Sequence, residues 1–420
     1  MMKLAIYGVS RAGKDYLIKN VIAYLQETTL LTAIHIEGSK TLNALAQDMF
    51  QKPFKSLEES RKKTLREKFT EIVNEKNSEY DLVLVDGHYS FIDGDSYKVV
   101  FTEQDENVYD HFFYLDTPSE MIVEFSRKST GEKRNLDITV EQIKNWKKYE
   151  KCELEKICNS HRKELVIIDE DTKSTVQFIS FWLDSYTSKL CNQTLALNFY
   201  TSYKELLEKS NQVILVDCDK TVSINDGTYD FCRYLGIKKE ELKSIFRNDR
   251  YTSYQFFKVW NLYKKHNPIK VGESATQALK NIKLSQSIFD YLTNQKDSIV
   301  IGVTSGVFDI WNLVNEKHQI FDILLGNICK PEIEYLVTPL FKKELSNLLR
   351  DKGKHVVAIG DSMIDIPMLE AANQGYLVAH EKLNKAVEAY LAETECTNIE
   401  SMFEVGLSYD LNKCCEIEEV

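Results

Sequence analysis

The sequence is short of prolines, of spaced cysteine pairs and of low-complexity tracts. Only six of its 420 residues are proline, and no Gly/Ser-rich linker occurs, which argues against a largely disordered chain. Its nine cysteines are scattered and odd in number, without a CxxC spacing. This pattern favours reduced thiols in a cytosol over a disulfide framework or a zinc site.

Excess basic charge and long apolar runs are also missing. The 53 lysines and arginines are outnumbered by 64 aspartates and glutamates, giving a net charge of −11, which argues against nucleic acid or an anionic membrane as partner. No stretch approaches the roughly 18 apolar residues of a membrane-spanning helix. The apolar start MMKLAIYGV ends in a glycine loop too early for a signal peptide. We expect a cytoplasmic protein and leave its oligomeric state open.

What the sequence does contain is a regular alternation of short apolar runs and helical patterns. Strands are expected at 3–7, 32–36, 81–86, 111–116 and 164–169, and again at 213–217, 298–303, 321–326, 355–361 and 375–379. Because 420 residues exceed one ordinary core, this predicts an α/β protein with two parallel-sheet domains.

The predicted domains span 1–190 and 200–400, with a break in the helical pattern at CNQT (191–194) and a tail over 401–420. The aromatic-rich stretch 222–290 has a helical pattern and no clear strand. We expect it to form a helical cap over the carboxyl edge of the second sheet, where ligands of open α/β sheets bind.

The segment GVSRAGKD (8–15) has the G-x-x-x-x-G-K spacing of a phosphate-binding loop, directly after the first expected strand. Glycines let backbone N–H groups face phosphate oxygens, and the following helix N-terminus adds its dipole. Asp15 stands where a hydroxyl residue usually follows Lys14, so a carboxylate is available to Mg²⁺. The predicted nucleotide-binding residues in this loop are Gly8, Ser10, Arg11, Ala12, Gly13, Lys14 and Asp15.

Over roughly residues 1–185 the chain resembles the nucleoside/nucleotide kinase branch of the P-loop proteins, in which a G-K-D variant of the loop also occurs. The resemblance implies a three-layer kinase-like fold that uses ATP and Mg²⁺. It implies that Asp86 orients the metal or the acceptor, and that Arg127 and Arg134 reach over the transferred phosphate. HIEGSK (35–40) and Arg61 are candidates for an acceptor pocket, and no residue identifies the acceptor.

A second motif, VDCDKTVS (216–223), places Asp217 and Asp219 at the end of a buried strand. Because side chains alternate along a strand, residues two apart can face the same side. One carboxylate can attack a phosphoryl group, and the other can protonate the leaving oxygen, with Mg²⁺ between carboxylate and phosphate. The segments that follow in order are VTSG (303–306), FKKELSNLL (341–349) and IGDSMIDIPML (359–369), which supply a hydroxyl, lysines and a second acidic strand end.

These four motifs, over residues 211–392, resemble the haloacid dehalogenase superfamily and most closely its phosphoserine phosphatase-like branch. The resemblance implies a Rossmann-like fold with a cap, Asp217 as nucleophile and Asp219 as general acid and base. It also implies Ser305 as phosphate ligand and Lys342 as charge-balancing lysine, with Thr304 and Lys343 as one-residue alternates. The implied metal residues are Asp217, Asp219, Asp361 and Asp365.

Two departures from that branch bear on the substrate. Val307 stands where a glycine is usual, and Ile364 stands where an asparagine is usual. Both changes make the pocket more apolar and argue against phosphoserine itself. In the cap, Arg247 and Arg250 are candidates to meet an anionic substrate, although a solvated helix face is the alternative.

Three hypotheses follow for the whole chain. In the first, a Mg²⁺-dependent phosphatase acting on a small phosphorylated metabolite is fused to an ATP-binding, kinase-like domain, and the chain is bifunctional if that domain transfers phosphate. In the second, the same folds act on polynucleotide ends, which the acidic charge and the cap disfavour. In the third, the first half senses a nucleoside triphosphate and regulates the phosphatase without transferring phosphate.

Overall fold

The computed structural model describes residues 2–128, 138–186, 192–246, 251–327, 336–379, 385–394, 398–401 and 414–416. The chain folds into two compact units, Met1–Leu183 and Asp184–Val420. Among the helices of these ranges, none is both long and apolar enough to cross a membrane.

The first unit is built on a five-stranded parallel sheet with the order β2-β3-β1-β6-β7. Its elements are β1 (Met2–Tyr7), α1 (Lys14–Thr28), β2 (Ala33–Glu37), α2 (Gly38–Phe50), α3 (Glu59–Glu79), β3 (Leu82–Asp86), β4 (Ser90–Asp93), β5 (Ser96–Val99), α4 (Glu103–Val108), β6 (His111–Leu115), α5 (Ser119–Lys128), α6 (Val140–Ser160), β7 (Leu165–Ile168) and α7 (Thr172–Tyr186). All five predicted strands are present. Because β1 lies between β3 and β6, the loop at 8–13 and the end of β3 meet at one edge of the sheet.

An antiparallel hairpin, β4–β5, is absent from the sequence prediction. Asp93 pairs with Ser96, so the two-residue turn is Gly94-Asp95, and Gly94 has a φ of 61°. A Gly-Asp pair between two short strands is a recognised hairpin signal, so the sequence did carry it.

The second unit contains a six-stranded parallel sheet with the order β11-β10-β8-β12-β13-β14. Its elements begin with α8 (Asn192–Ser202), α9 (Lys204–Leu207), β8 (Gln212–Val216), α10 (Gly227–Leu235), α11 (Lys239–Ile245), α12 (Ser253–Lys264), α13 (Pro268–Leu279), β9 (Lys283–Ser285) and α14 (Gln286–Thr293). They continue with β10 (Ser298–Val307), α15 (Phe308–His318), β11 (Ile323–Asn327), α16 (Pro339–Asp351), β12 (His355–Gly360), α17 (Ile366–Ala371), β13 (Gln374–Leu377), α18 (Lys385–Glu393), β14 (Ile399–Ser401) and β15 (Cys414–Glu416).

The central strand β8 shows why this sheet forms. Val213 and Leu215 belong to the hydrophobic cluster on one face, and Ile214 and Val216 belong to the cluster on the other. All four side chains are fully buried. The apolar side chains of this strand are therefore buried on both faces of the sheet, as expected for a parallel strand covered on both sides.

Three sequence predictions for this unit need correction. Asn192–Ser202 is helical, so the expected break at 191–194 is wrong for 192–194, because asparagine and threonine are well tolerated at a helix start. Among its described residues, the stretch 222–290 contains four complete helices and the start of α14, in line with the predicted helical pattern, but also the short strand β9. Within the tail, Cys414–Glu416 pairs antiparallel with β9, whereas the sequence predicts no structure there.

Candidate active sites

In the second unit, the three central strands end at one edge and bring the predicted catalytic residues together. Asp217 follows β8, Ser305 lies in β10 and Asp361 follows β12, and β8 is paired with both neighbours. Residues more than a hundred positions apart in sequence therefore share one site.

Lys342 lies at the centre of this site. Its side chain is fully buried, and its Nζ is 2.7 Å from Asp217 Oδ1 and 2.7 Å from Asp365 Oδ1. Burial opposes the lysine charge, but the two carboxylates outweigh that effect and raise its pKa. Lys342, rather than the alternate Lys343, makes these two contacts.

Asp365 is held firmly by the turn that precedes it. Its Oδ2 accepts hydrogen bonds from the backbone N–H of Asp361 at 3.2 Å and of Ser362 at 3.1 Å, and from Ser362 Oγ at 2.8 Å. With Lys342 on Oδ1, both of its oxygens are occupied. The arrangement fits a residue that orients the lysine and the turn.

A candidate cation site lies beside the lysine. Asp217, Asp361 and Asp365 each place a carboxylate oxygen within 4.8 Å of the others. Burial and Asp365 raise the pKa of Asp217 to about 7, although Lys342 counteracts them. Burial, Asp365 and Asp217 raise the pKa of Asp361 well above its usual value. Full ionisation of these carboxylates is therefore unfavourable, although Lys342 and, for Asp361, also Lys220 act to lower the pKa values.

Asp219, also predicted as a metal residue, is not part of that group of carboxylates. Its Oδ1 accepts from the Gly227 N–H at 2.8 Å, and its Oδ2 accepts from Thr228 Oγ1 at 3.2 Å. Burial, followed by the charges of Asp226 and Asp217, raises its pKa to about 8. Asp219 thus holds a proton more tightly than an exposed aspartate and is held by the first turn of α10.

The hydroxyls of the β10 motif have different surroundings. Thr304 is fully buried, and its Oγ1 accepts from the Gly306 N–H at 2.9 Å. Ser305 is partly exposed, and its Oγ donates to Val337 O at 2.8 Å. The open position of Ser305 favours it over Thr304 as the residue that meets a ligand.

Close packing of Asp219 and Thr228 against β10 was not visible in the sequence. A Cβ at Gly306 would lie 2.3 Å from Asp219 Oδ2 and 2.7 Å from Thr228 Oγ1. The glycine is therefore required by the approach of these two side chains. Thr228 was missed because nothing in its local sequence marks it.

The first unit has a cavity of about 710 Å³ at the carboxyl edge of its sheet. Five of the predicted loop residues line it, namely Ser10, Arg11, Gly13, Lys14 and Asp15. Glu37, Ser39 and Lys40 of HIEGSK, together with Asp86, are also in the wall. The missed residues include His88, Phe91, Ile92 and Trp146, of which two lie on the unpredicted hairpin.

The glycine loop curls around the lysine. Lys14 is buried, and its Nζ donates to Gly8 O at 2.6 Å and to Val9 O at 3.3 Å. Burial lowers its pKa to about 8. Gly13 has a φ of 94°, a conformation that favours glycine. Gly8 and Ala12 belong to the loop but do not line the cavity. Ala12 O accepts a hydrogen bond from Thr117 Oγ1 at 2.6 Å.

Three other groups meet at the end of β3. Asp15, His35 and Asp86 each place one ligand atom within 4.8 Å of the others. Asp86 Oδ1 is 3.0 Å from His35 Nε2 and accepts from the Gly38 N–H at 3.1 Å. The structure thus brings the predicted residues Asp15 and Asp86 together with His35, which belongs to the candidate acceptor segment HIEGSK.

Two of the predicted arginines, Arg127 and Arg61, are not brought into this cavity. Arg127 is exposed on α5 and is absent from the cavity wall. Arg61 lies over the Phe50 ring at 5.0 Å and is likewise not in the wall. Arg134, Arg247 and Arg250 lie outside the described residues.

Comparison with known proteins identifies one of the two units. Residues 182–397 match the family described as haloacid dehalogenase-like hydrolase. No curated protein matches the chain.

Solved structures that align with part of the chain have low sequence identity to it. A phospho-aspartyl intermediate analogue of phosphoserine phosphatase is 23% identical, covers 40% of this chain and 87% of its own, and has a TM-score of 0.34. A substrate-bound phosphoserine phosphatase complex is 21% identical over 40% of this chain and 86% of its own, with a TM-score of 0.33. A hydrolase of the same superfamily from Salmonella enterica is 17% identical over 46% of this chain and 74% of its own, with a TM-score of 0.35.

The family match spans more than half of the 420 residues and includes all four motifs around Asp217, Ser305, Lys342 and Asp361. The chain therefore belongs to the haloacid dehalogenase-like hydrolases.

Proposed function

We propose that the second unit is a Mg²⁺-dependent phosphatase for a small phosphomonoester that works through an aspartyl-phosphate. The observation that carries this proposal is the buried Lys342, which contacts both Asp217 and Asp365. A lysine in this position neutralises charge on the attacking carboxylate and on an incoming phosphoryl group.

The carboxylates fit a divalent cation. One oxygen of Asp217 and one of Asp361 each lie 3.5 Å from the Thr221 hydroxyl, which is a long contact. Both oxygens of Asp365, in contrast, make short hydrogen bonds, one to Lys342 and the other to Ser362. Oxygen ligands of this kind suit Mg²⁺, and the raised pKa values of Asp217 and Asp361 show that their ionised forms are unfavourable, an effect that a bound cation would offset. When bound, Mg²⁺ would neutralise charge between the carboxylate and the phosphate.

In the proposed reaction, Asp217 and Asp219 have separate roles in two steps. A carboxylate oxygen of Asp217 forms a bond to phosphorus as the bond from phosphorus to the leaving oxygen breaks, and Asp219 gives its proton to that oxygen. In the second step a water oxygen bonds to phosphorus and releases Asp217, while the ionised Asp219 takes the water proton. Ser305 is proposed to hold a phosphate oxygen once its hydroxyl turns away from Val337 O, its partner in the structure.

The first prediction concerns the nucleophile. Asp217→Asn cannot form the acyl phosphate, so we expect hydrolysis of phosphomonoesters to fall by at least ~10³-fold. Phosphate release in Mg²⁺ measures it, with the exposed Asp297→Asn as the matched control. Equal rates for Asp217→Asn and the wild-type protein would remove this proposal.

We further propose that the first unit is a P-loop, kinase-like domain that binds a nucleoside triphosphate such as ATP. The observation that supports this is the glycine loop around Lys14 at one end of a cavity of about 710 Å³, within the usual range of about 300–1,000 Å³ for ligand pockets. Asp15 and Asp86 are the proposed Mg²⁺ residues, with His35 beside them. Arg127 and Arg134 remain predictions for contacts to the phosphates.

The second prediction tests this nucleotide site. Lys14→Ala removes the cation that would meet the phosphates, so ATP affinity should weaken by at least ~10-fold. Calorimetric titration measures it, with Lys19→Ala, an exposed lysine on the same helix, as the control. Unchanged affinity in Lys14→Ala would show that the loop is not a nucleotide site.

A further inference from the structure

A small second cavity, of about 60 Å³, lies beside the phosphatase residues of the second unit. Its polar side is formed by Thr228, Ser305 and Gly306. Of these, Thr228 donates a hydrogen bond to Asp219, and Gly306 packs against the same carboxylate. The cavity is therefore placed where the leaving group of a phosphomonoester bound at Asp217 would extend. This inference rests on the phosphatase function proposed above.

The opposite side of this cavity comes from the helices of the predicted cap. One face of α12 contributes Phe256, Val259, Trp260 and Tyr263, at the helical spacing i, i+3, i+4 and i+7. Leu242 and Phe246 add two apolar side chains, and the Phe246 ring is 5.5 Å from that of Phe256 between centroids. The remaining wall is Asn327 and Leu336.

None of the described residues that line this cavity is charged. The hydroxyl and amide groups of its lining already have partners within the protein. Thr228 Oγ1 donates to Asp219, Ser305 Oγ donates to Val337 O, and the Tyr263 hydroxyl lies 3.7 Å from the Cys232 thiol.

The amide of the fourth polar residue is also engaged. Asn327 Nδ2 donates to Ser305 O at 2.9 Å, and its Oδ1 accepts from the Val337 N–H at 2.7 Å. A charged leaving group in this cavity would lose its water without gaining an ionic partner among these residues. Such a transfer is strongly unfavourable, whereas an apolar group gains from it.

The size of the cavity limits the group further. Because about 10–15 Å³ of such space holds one water molecule, 60 Å³ accommodates roughly four to six water-sized atoms. We propose that this cavity is the leaving-group subsite of the phosphatase, and that its substrates are phosphomonoesters of short, uncharged, apolar alcohols. Phe256 and Trp260 determine this specificity.

The experiment compares two esters with the same branching, isobutyl phosphate and O-phosphoserine, with Mg²⁺ and the full chain. We expect kcat/KM to be higher for isobutyl phosphate by ~100-fold, because the ammonium and carboxylate of phosphoserine find no charged partner among the described residues that line the subsite. Equal values, or a preference for O-phosphoserine, would overturn the proposal.

Acetyl phosphate separates failure of the subsite from failure of the phosphatase function. If acetyl phosphate is hydrolysed but neither ester is, the subsite proposal is wrong and the phosphatase function stands. If none of the three is hydrolysed, both proposals fail.

A variant pair tests whether the aromatic wall sets the preference. Phe256→Leu should lower the ratio of kcat/KM for isobutyl phosphate over O-phosphoserine by ~3–10-fold, since less apolar surface contacts the alkyl group. Phe289→Leu, the same substitution outside the cavity wall, should leave the ratio unchanged. Equal ratios in both variants and in the wild-type protein would contradict the assignment of Phe256.

Discussion

Asp217 and Asp219 are two residues apart, yet their side chains have different partners. Asp217 contacts Lys342, whereas Asp219 is held by the Gly227 N–H and by Thr228. Burial raises the pKa of both. The lysine counteracts this effect for Asp217, while Asp226 adds to it for Asp219. At the residue scale, these surroundings suit one carboxylate to attack and the other to carry a proton.

Thr228 gives a prediction at this scale. Its hydroxyl stabilises the ionised form of Asp219 and so lowers the pKa of that acid. In Thr228→Val the pKa should rise, and the alkaline limb of the kcat–pH profile should move to higher pH. At neutral pH we expect a loss in kcat smaller than the ~10²-fold or more expected for removing the acid itself.

The control for this position is Thr228→Ser, which keeps the hydroxyl. It should retain the wild-type pH profile, as measured by initial rates across the alkaline range. Identical alkaline limbs for the valine and wild-type proteins would show that Thr228 does not act on Asp219.

At the scale of elements, the helix α16 carries Lys342 into the site. Thr338 caps this helix, since its side chain accepts from the Phe341 N–H at 3.1 Å, and Pro339 begins its first turn. The position of Lys342 therefore depends on a helix start that lies four residues earlier. In the same way, the first turn of α10 supplies the groups that hold Asp219.

Loss of this cap should affect both stability and activity. We expect Thr338→Ala to lower the free energy of unfolding by ~1 kcal/mol and to reduce kcat, because the first turn that positions Lys342 is loosened. Chemical denaturation and phosphatase rates provide the two measurements. Thr338→Ser keeps the capping oxygen and should retain the wild-type stability and kcat. A serine variant as unstable and as slow as Thr338→Ala would count against the capping role.

At the scale of the whole molecule, the buried carboxylates make stability depend on pH. Asp219 has a pKa of about 8 in the folded protein and about 3.9 in an unfolded chain. Between these values the folded state retains a proton that the unfolded state has released. Stability therefore decreases as the pH rises through this window, and it is fully present only below the unfolded value.

Asp219→Asn removes this titration. Without added metal, we expect its free energy of unfolding to exceed that of the wild-type protein by more at about pH 8 than at about pH 5. Urea denaturation at the two pH values measures the difference, and Asp297→Asn, an exposed aspartate, should show no such change. A difference independent of pH would mean that Asp219 is not a buried acid.

Much of the fold was predictable, because apolar strand runs and their spacing are local features. All ten predicted strands exist, since a buried parallel strand requires a continuous apolar run such as Val213–Val216. The hairpin β4–β5 and the strand β9 were missed because their short segments are not continuous apolar runs. The pairing of β15 with β9 joins residues about 130 positions apart, which a local pattern cannot show.

By itself, the sequence determined which chemical groups stand at the ends of strands and helices. It placed acids at strand ends, a lysine at a helix start and glycines in a loop, because these choices depend on neighbouring residues. Only the tertiary structure decided which groups meet. It directed Lys342 rather than Lys343 to Asp217 and turned Asp219 towards Thr228. It also left Arg127 on the surface and placed Phe256 and Trp260 in one cavity wall with Thr228 and Ser305. Those contacts arise from strand order and helix packing between distant segments, which no local sequence pattern specifies.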